Sequence, residues 1–147
     1  MYDLEKLMRL REWAQCGGTD KERFDYGCWA RQVGDGVALC FAAKVCADAG
    51  ARFLWYFGSA KDVMDKDGRR VSIMAFGARE LELGGMESTV LFAPDREDGD
   101  NLGCAFAFLD VLIERARAGK DNMSDREAHD WMKAWFEENA PQNEVEE

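Results

Sequence analysis

The sequence has one histidine, two prolines and no pair of cysteines at CxxC spacing. A single imidazole, His129, and five cysteines at positions 16, 28, 40, 46 and 104 leave no local ligand pair for a tetrahedral metal site. The odd cysteine count points away from a disulfide framework and towards reduced, mostly buried thiols that act as small hydrophobes. No apolar run approaches the roughly 18 residues that a membrane-crossing helix needs. The opening MYDLEKLMRLREW alternates acids and bases and lacks the apolar centre of a secretory signal, so a cytoplasmic protein with no membrane association is expected. GxSxG, P-loop, HExxH and zinc-deaminase signatures are all missing.

What is present suffices for a core. Of 147 residues, 47% are hydrophobic and 17 are aromatic, enough to fill one domain and too many for a disordered chain. The net charge of −10 is unevenly placed. Residues 1–60 hold eight acids and eight bases, whereas 61–147 hold 21 acids and 11 bases. A surface of that sign repels phosphate backbones and suits a basic protein partner or a mimic of nucleic acid.

Hydrophobic periodicity predicts mostly helix. Leu4, Leu7, Met8 and Trp13 form a stripe over 3–14 behind an Asp3 N-cap, ended by Gly17-Gly18. Asp35 in Gly34-Asp35-Gly36 fits the N-cap of a central helix over 36–49, with Cys40, Ala42 and Ala43 packing inside it and Gly50 closing it. The aromatic stretch 51–58 is ambiguous. Segment 71–83 suits a helix capped by Gly84-Gly85, although Gly77 weakens it; the rival reading pairs 52–57 with 71–76 as a β-hairpin. Asn101 is the expected cap of a helix over 102–118. Ser124 and Glu127 have capping-box spacing for a last helix carrying Ala128, Trp131, Met132, Trp135 and Phe136 on one face. The expected fold is mainly α: a single bundle of about five helices over 1–139, with at most a small hairpin within 51–76, then a mobile acidic tail over 140–147.

Several local patterns suggest chemistry and fail on spacing. Gly34-Asp35-Gly36 begins like a nucleotide fingerprint, but Leu39 stands where the third glycine belongs. The acidic stretch around Asp95, Glu97, Asp98 and Asp100 fits no EF-hand register, because Gly99 at the sixth position puts Pro94 at the first, and Gly68 puts Val63 there. No metal and no cofactor is expected. Cys40 or Cys46 with His129 remains a candidate Cys-His pair, with nothing in the spacing to select either thiol.

The segments FDYGCW, GDGVALCFAAKV, GARELEL, TVLFAP and AFLDVLIERA occur in an order that resembles a group of small uncharacterised proteins of actinobacterial phages and related mobile elements. Their hallmark is FDxxxW…CGTxxCxAGHA…LGL…LF…LDxLIE, and the similarity spans about residues 24–117. Alignment on Cys40 places Asp35 where the group has its first cysteine and Lys44 where it has histidine. The resemblance implies a buried structural helix and a phage or prophage origin, and implies no activity.

The expected function is therefore a non-enzymatic accessory protein, an acidic interaction module that binds a host or phage protein of basic character and does not bind nucleic acid directly. Its expected contact residues are Asp95, Glu97, Asp98, Asp100, Glu137 and Glu138; Asp35, Cys40, Ala42, Ala43, Trp131 and Trp135 are expected to be structural. The face of Trp131, Trp135 and Phe136 is a second candidate contact, between copies of the chain. Two alternatives stay open: an anti-defence inhibitor that mimics nucleic acid in a host nuclease, and a small cysteine-dependent enzyme.

Overall fold

Helix and sheet alternate through the first half of the chain, and only helices follow. The computed structural model describes residues 1–93 and 99–139. In chain order these are α1 (Leu4–Gln15), β1 (Glu22–Phe24), β2 (Ala30–Val33), β3 (Gly36–Leu39), α2 (Phe41–Asp48), β4 (Arg52–Phe53), β5 (Ser59–Ala60), β6 (Asp62–Met64), β7 (Arg70–Ser72), α3 (Ile73–Leu81), α4 (Gly85–Phe92), α5 (Asn101–Arg117) and α6 (Asp125–Glu138). One sheet has the order β1-β3-β2-β5, with β1 parallel to β3 and the other pairs antiparallel; a second, antiparallel sheet has the order β4-β6-β7.

The mainly α bundle of about five helices is thus incorrect. The described residues form six helices and seven strands, a mixed α/β fold. The error begins at Gly34-Asp35-Gly36. Asp35 does not cap a helix: with Gly34 it makes the two-residue turn joining β2 to β3, and Gly34 lies at φ +57°, a conformation open to glycine at little cost. Gly36 has a different task. A Cβ there would lie 2.6 Å from the Lys21 carbonyl oxygen, so only glycine lets β3 approach the chain entering β1, where Val37 N–H donates to that carbonyl at 2.8 Å. The central helix begins later, with Cys40 as N-cap and its thiol accepting from Ala43 N–H at 3.5 Å.

Helix α2 is nonetheless the middle of the core. Phe41, Ala42, Ala43 and Cys46 are fully buried. Its alanines admit α3: a Cβ on Gly77 would meet the Ala42 Cα, Cβ and carbonyl oxygen, each at 3.2 Å. The glycine that weakened the helical prediction for this segment is there for close packing. Helix α3 starts at Ile73 behind a Ser72 cap. It ends through Glu82 in the left-handed region (φ +58°) rather than at Gly84-Gly85, and Gly84 instead opens α4. Residues 71 and 72, expected in the helix, instead belong with Arg70 to β7 and pair with β6, while β4 pairs with the other edge of β6.

Helices α1 and α6 follow their sequence signals. Asp3 caps α1 and Ser124 forms the capping box with Glu127. Helix α5 is capped one residue earlier than expected, by Asp100, whose carboxylate accepts from Gly103 N–H at 2.8 Å. A buried polar knot ties these helices together. Glu87 of α4 has no exposed surface, and its two carboxylate oxygens accept from Gly84 N–H, Asn122 Nδ2, Met123 N–H and the Tyr2 hydroxyl. Arg115 Nε donates in turn to the Tyr2 oxygen at 3.2 Å. A buried carboxylate is tolerated because every lone pair has a donor.

Candidate functional site

The segment between β1 and β2 makes a turn: Asp25 N–H donates to the Leu39 carbonyl, and the Asp25 side chain accepts from Gly27 N–H, which reverses the chain at Tyr26–Gly27. Phe24 and Tyr26 point inward onto Phe41, and Phe24 also meets Trp13 and Phe106 edge-on, so the Tyr26 ring and one ring each from α1, β1, α2 and α5 share one cluster. Cys28 and Trp29 follow, half-buried, on a wall between two clefts.

The first cleft, of about 520 Å³, is bounded by Tyr26, Cys28, Trp29, Cys40, Thr89 and Phe92. Its chemistry is muted. Burial pushes the Cys40 thiol up to about 12, against which the Ala43 and Ala42 N–H groups act only partly. Burial, and secondly Asp25, raise the Cys28 thiol as well. Both are held as thiols at neutral pH, so neither is a ready nucleophile. The Tyr26 hydroxyl is buried with no hydrogen-bond partner among the described residues, and desolvation raises its pKa.

The second cleft, of about 420 Å³, lies between the edges of the two sheets and includes Trp29, Leu54, Tyr56, Lys61, Asp62 and Arg70. Asp62 Oδ2 accepts from Arg70 Nε at 3.0 Å and from Nη2 at 2.8 Å, which holds the guanidinium at the rim. Above it stands a tight turn. Tyr56 and Ser59 exchange both backbone hydrogen bonds (2.7 and 3.1 Å), and the two residues between them, Phe57 (φ +52°) and Gly58 (φ +80°), are both left-handed, the pattern of a type I′ turn. Tyr56 is 76% exposed and Phe57 91% exposed.

The residues singled out from sequence are dispersed. Asp95, Glu97 and Asp98 lie outside the described residues, as does the tail 140–147. Asp100 is occupied as the α5 cap. Glu137 and Glu138 are exposed at the end of α6. Asp35 is exposed on its turn, whereas Cys40, Ala42 and Ala43 are buried. Trp131 stacks obliquely on Phe108 and Trp135 meets Phe136 edge-on; both tryptophans are half-buried and Phe136 is buried. Lys44, at the position of the group's histidine, pairs with Glu22 at 2.6 Å and Asp48 at 2.9 Å beneath α1. His129 is exposed beside Asp130. Cys46 is buried elsewhere in α2, its thiol donating to the Ile73 carbonyl and raised to about 12 by burial. A Cys-His pair of the kind considered from sequence therefore has an exposed imidazole and two protonated thiols in the core. No set of three or more His, Cys, Asp or Glu side chains among the described residues is placed to hold a metal ion, and no helix among them is long and apolar enough to cross a membrane.

Sequence reasoning missed the Tyr56–Phe57 turn. Its signal was the glycine after the aromatic run, read as the end of a strand or loop and not as half of a two-residue turn. No protein-family model, curated protein or solved structure matches the chain.

Proposed function

We propose that the protein is a non-enzymatic accessory module, of the kind phages and mobile elements encode, that docks an acidic helical side on a basic protein surface. The observation that carries this reading is the solvent face of α6, where Asp125, Glu127, Asp130, Glu137 and Glu138 are exposed against only Arg126 and Lys133. It belongs to a half of the chain, 73–147, with 18 acids and seven bases. Asp125 and Glu127 are committed to backbone N–H groups, Asp125 to Met86 and Glu127 to Ser124. Asp130 faces Arg126 at 3.8 Å, whereas Glu137 and Glu138 have no ion pair among the described residues; such exposed charges act mainly by steering encounter. The buried thiols support the non-enzymatic part of the reading, since a nucleophilic cysteine needs a thiolate that solvent or substrate can reach.

The test is a comparative capture from host lysate at low and high salt. Bait proteins are the wild type and the triple variant Asp130→Lys, Glu137→Lys, Glu138→Lys. Proteins of high isoelectric point retained by the wild type are expected to be lost from the variant, with association slowed about tenfold for a purified partner at low salt. Retention of the same proteins by both baits, or retention indifferent to salt, refutes the proposal.

A further inference from the structure

The turn at Tyr56–Phe57 is costly in two ways, and neither cost serves the fold. A two-residue turn with both φ positive favours Asn-Gly or Gly-Gly; a phenylalanine in its first central position carries strain on the order of 1 kcal/mol. The ring gains little in return from burial, since 91% of the residue is exposed and the ring it meets is that of Tyr56, itself 76% exposed, at 4.5 Å and 84°. Strain and exposure together on a tight, doubly hydrogen-bonded turn mark a surface shaped for something else.

The charges nearby say what. The segment 51–72, which forms the second sheet and this turn, holds five bases (Arg52, Lys61, Lys66, Arg69 and Arg70) and three acids, in a protein whose net charge is −10. In the cleft under the turn, Lys61 has no ion pair among the described residues, and Arg70, though held by Asp62, keeps 67% of its side chain exposed. Trp29 lies on the cleft's inner wall. Two exposed rings, a third ring below them and two cations at one cleft make a stacking surface beside a phosphate-binding rim. Helix α6 packs chiefly on α4 and α5 rather than on the second sheet, and at physiological salt fields decay over about 8 Å, so a patch is felt by its own charges first.

We infer that this turn and cleft bind a short single-stranded nucleic acid, with bases stacked on Tyr56 and Phe57 and phosphates on Lys61 and Arg70. A duplex hides its base faces and offers nothing to a projecting ring, whereas unpaired bases stack on any aromatic of suitable exposure. A basic protein, the partner proposed for α6, is repelled here. The whole-chain charge opposes a long polyanion laid along the helices but not a few nucleotides at this rim.

Fluorescence anisotropy with a fluorescein-labelled oligothymidylate of roughly six nucleotides tests it directly. The wild type is expected to bind the single strand and not the duplex of equal length, with log affinity falling against log salt at a slope of about −1.4 for two phosphate contacts. Tyr56→Ala and Phe57→Asn should each weaken binding about tenfold, and Lys61→Glu should weaken it and flatten the salt slope. Phe57→Asn should melt no lower than wild type, because asparagine tolerates the left-handed backbone, so its loss of binding is not a loss of fold. The α6 triple variant should bind the oligonucleotide at least as well as wild type, which separates this inference from the proposal for the acidic face. No binding by the wild type, unchanged binding in all three turn and rim variants, or equal competition by an oligoglutamate peptide overturns it.

Discussion

Replacing Glu87 by glutamine changes one acceptor oxygen into a donor at the most constrained polar position among the described residues. One oxygen, holding Gly84 N–H at 2.8 Å and Asn122 Nδ2 at 2.7 Å, can be kept as the amide oxygen. The other cannot, because it now accepts from Met123 N–H at 2.9 Å and from the Tyr2 hydroxyl. An NH2 group there confronts Met123 N–H donor to donor. The tyrosine has to turn its proton away to receive the new donor while Arg115 still approaches at 3.2 Å. Hydrogen bonds to a charged group contribute about 1.5–3 kcal/mol each; the one from Met123 is lost with its donor left buried, and the one with Tyr2 is reversed into a weaker neutral bond, offset in part because a neutral amide is easier to bury than a carboxylate. A net destabilisation of about 3 kcal/mol follows, and for a chain of this size about 10 °C in Tm. Calorimetry or urea unfolding of Glu87→Gln reads it. Tyr2→Phe should cost less, and the double variant less than the sum of the singles, because both disrupt one network. A melting point for Glu87→Gln within about 2 °C of wild type refutes the assignment of this carboxylate as a structural tie.

Three further outcomes follow from the core. Cys40, Cys46 and Cys104 are buried thiols raised from 9.0 to about 12, so they stay protonated in the fold above pH 9 while the unfolded chain ionises. The stability they contribute is intact below pH 9 and is lost as pH rises towards 12, by about 1.4 kcal/mol per thiol at pH 10, and Cys104→Ala should flatten the alkaline limb of a pH-stability curve. A thiol reagent at neutral pH should label exposed Cys16 quickly and half-buried Cys28 slowly, and reach the other three only on unfolding; mass spectrometry showing fast labelling of Cys40 or Cys46 contradicts the burial described. Gly77→Ala sets a helix-propensity gain of about 1 kcal/mol against a Cβ pressed on the backbone of buried α2. The backbone contact is expected to prevail, with a net loss near 1 kcal/mol in urea unfolding; a more stable variant would show that α2 and α3 can part freely.

The parts of this fold that could be read in the sequence are those with long local signals. Helices α1, α5 and α6 run 12, 17 and 14 residues, long enough for a 3.6-residue stripe to repeat, and two of them carry side-chain caps at the expected residues, Asp3 and Ser124. The sheets were hidden because their strands are two to four residues long, too short to display alternation, and because β1 pairs in parallel with β3 across an intervening strand. Asp35 looked like a cap because an acid between glycines serves a helix entry and a tight turn equally well. The distinguishing fact is that Gly36 must pass close to Lys21, a contact that no local pattern announces. The site fared similarly. Tyr56 and Phe57 were visible as aromatics, but their exposure depends on the turn at 57–58, and phenylalanine there gives no turn signal. That Glu137 and Glu138 are exposed could be read from sequence, because charge on a terminal helix face needs no tertiary partner to reach solvent.

The knot at Glu87 also bears on how the chain is made. Its members come from positions 2, 84, 87, 115, 122 and 123, so a nascent polypeptide has to wait until Met123 has left the ribosome before every acceptor of Glu87 is satisfied. Until then the Glu87 carboxylate lacks the Asn122 and Met123 donors and has only Gly84 N–H, the Tyr2 hydroxyl and water. Synthesis halted shortly before Asn122 should therefore yield a product in which Glu87 is buried short of two donors and the link between Tyr2 and α4 is more open to proteases, whereas release of a few more residues should close it.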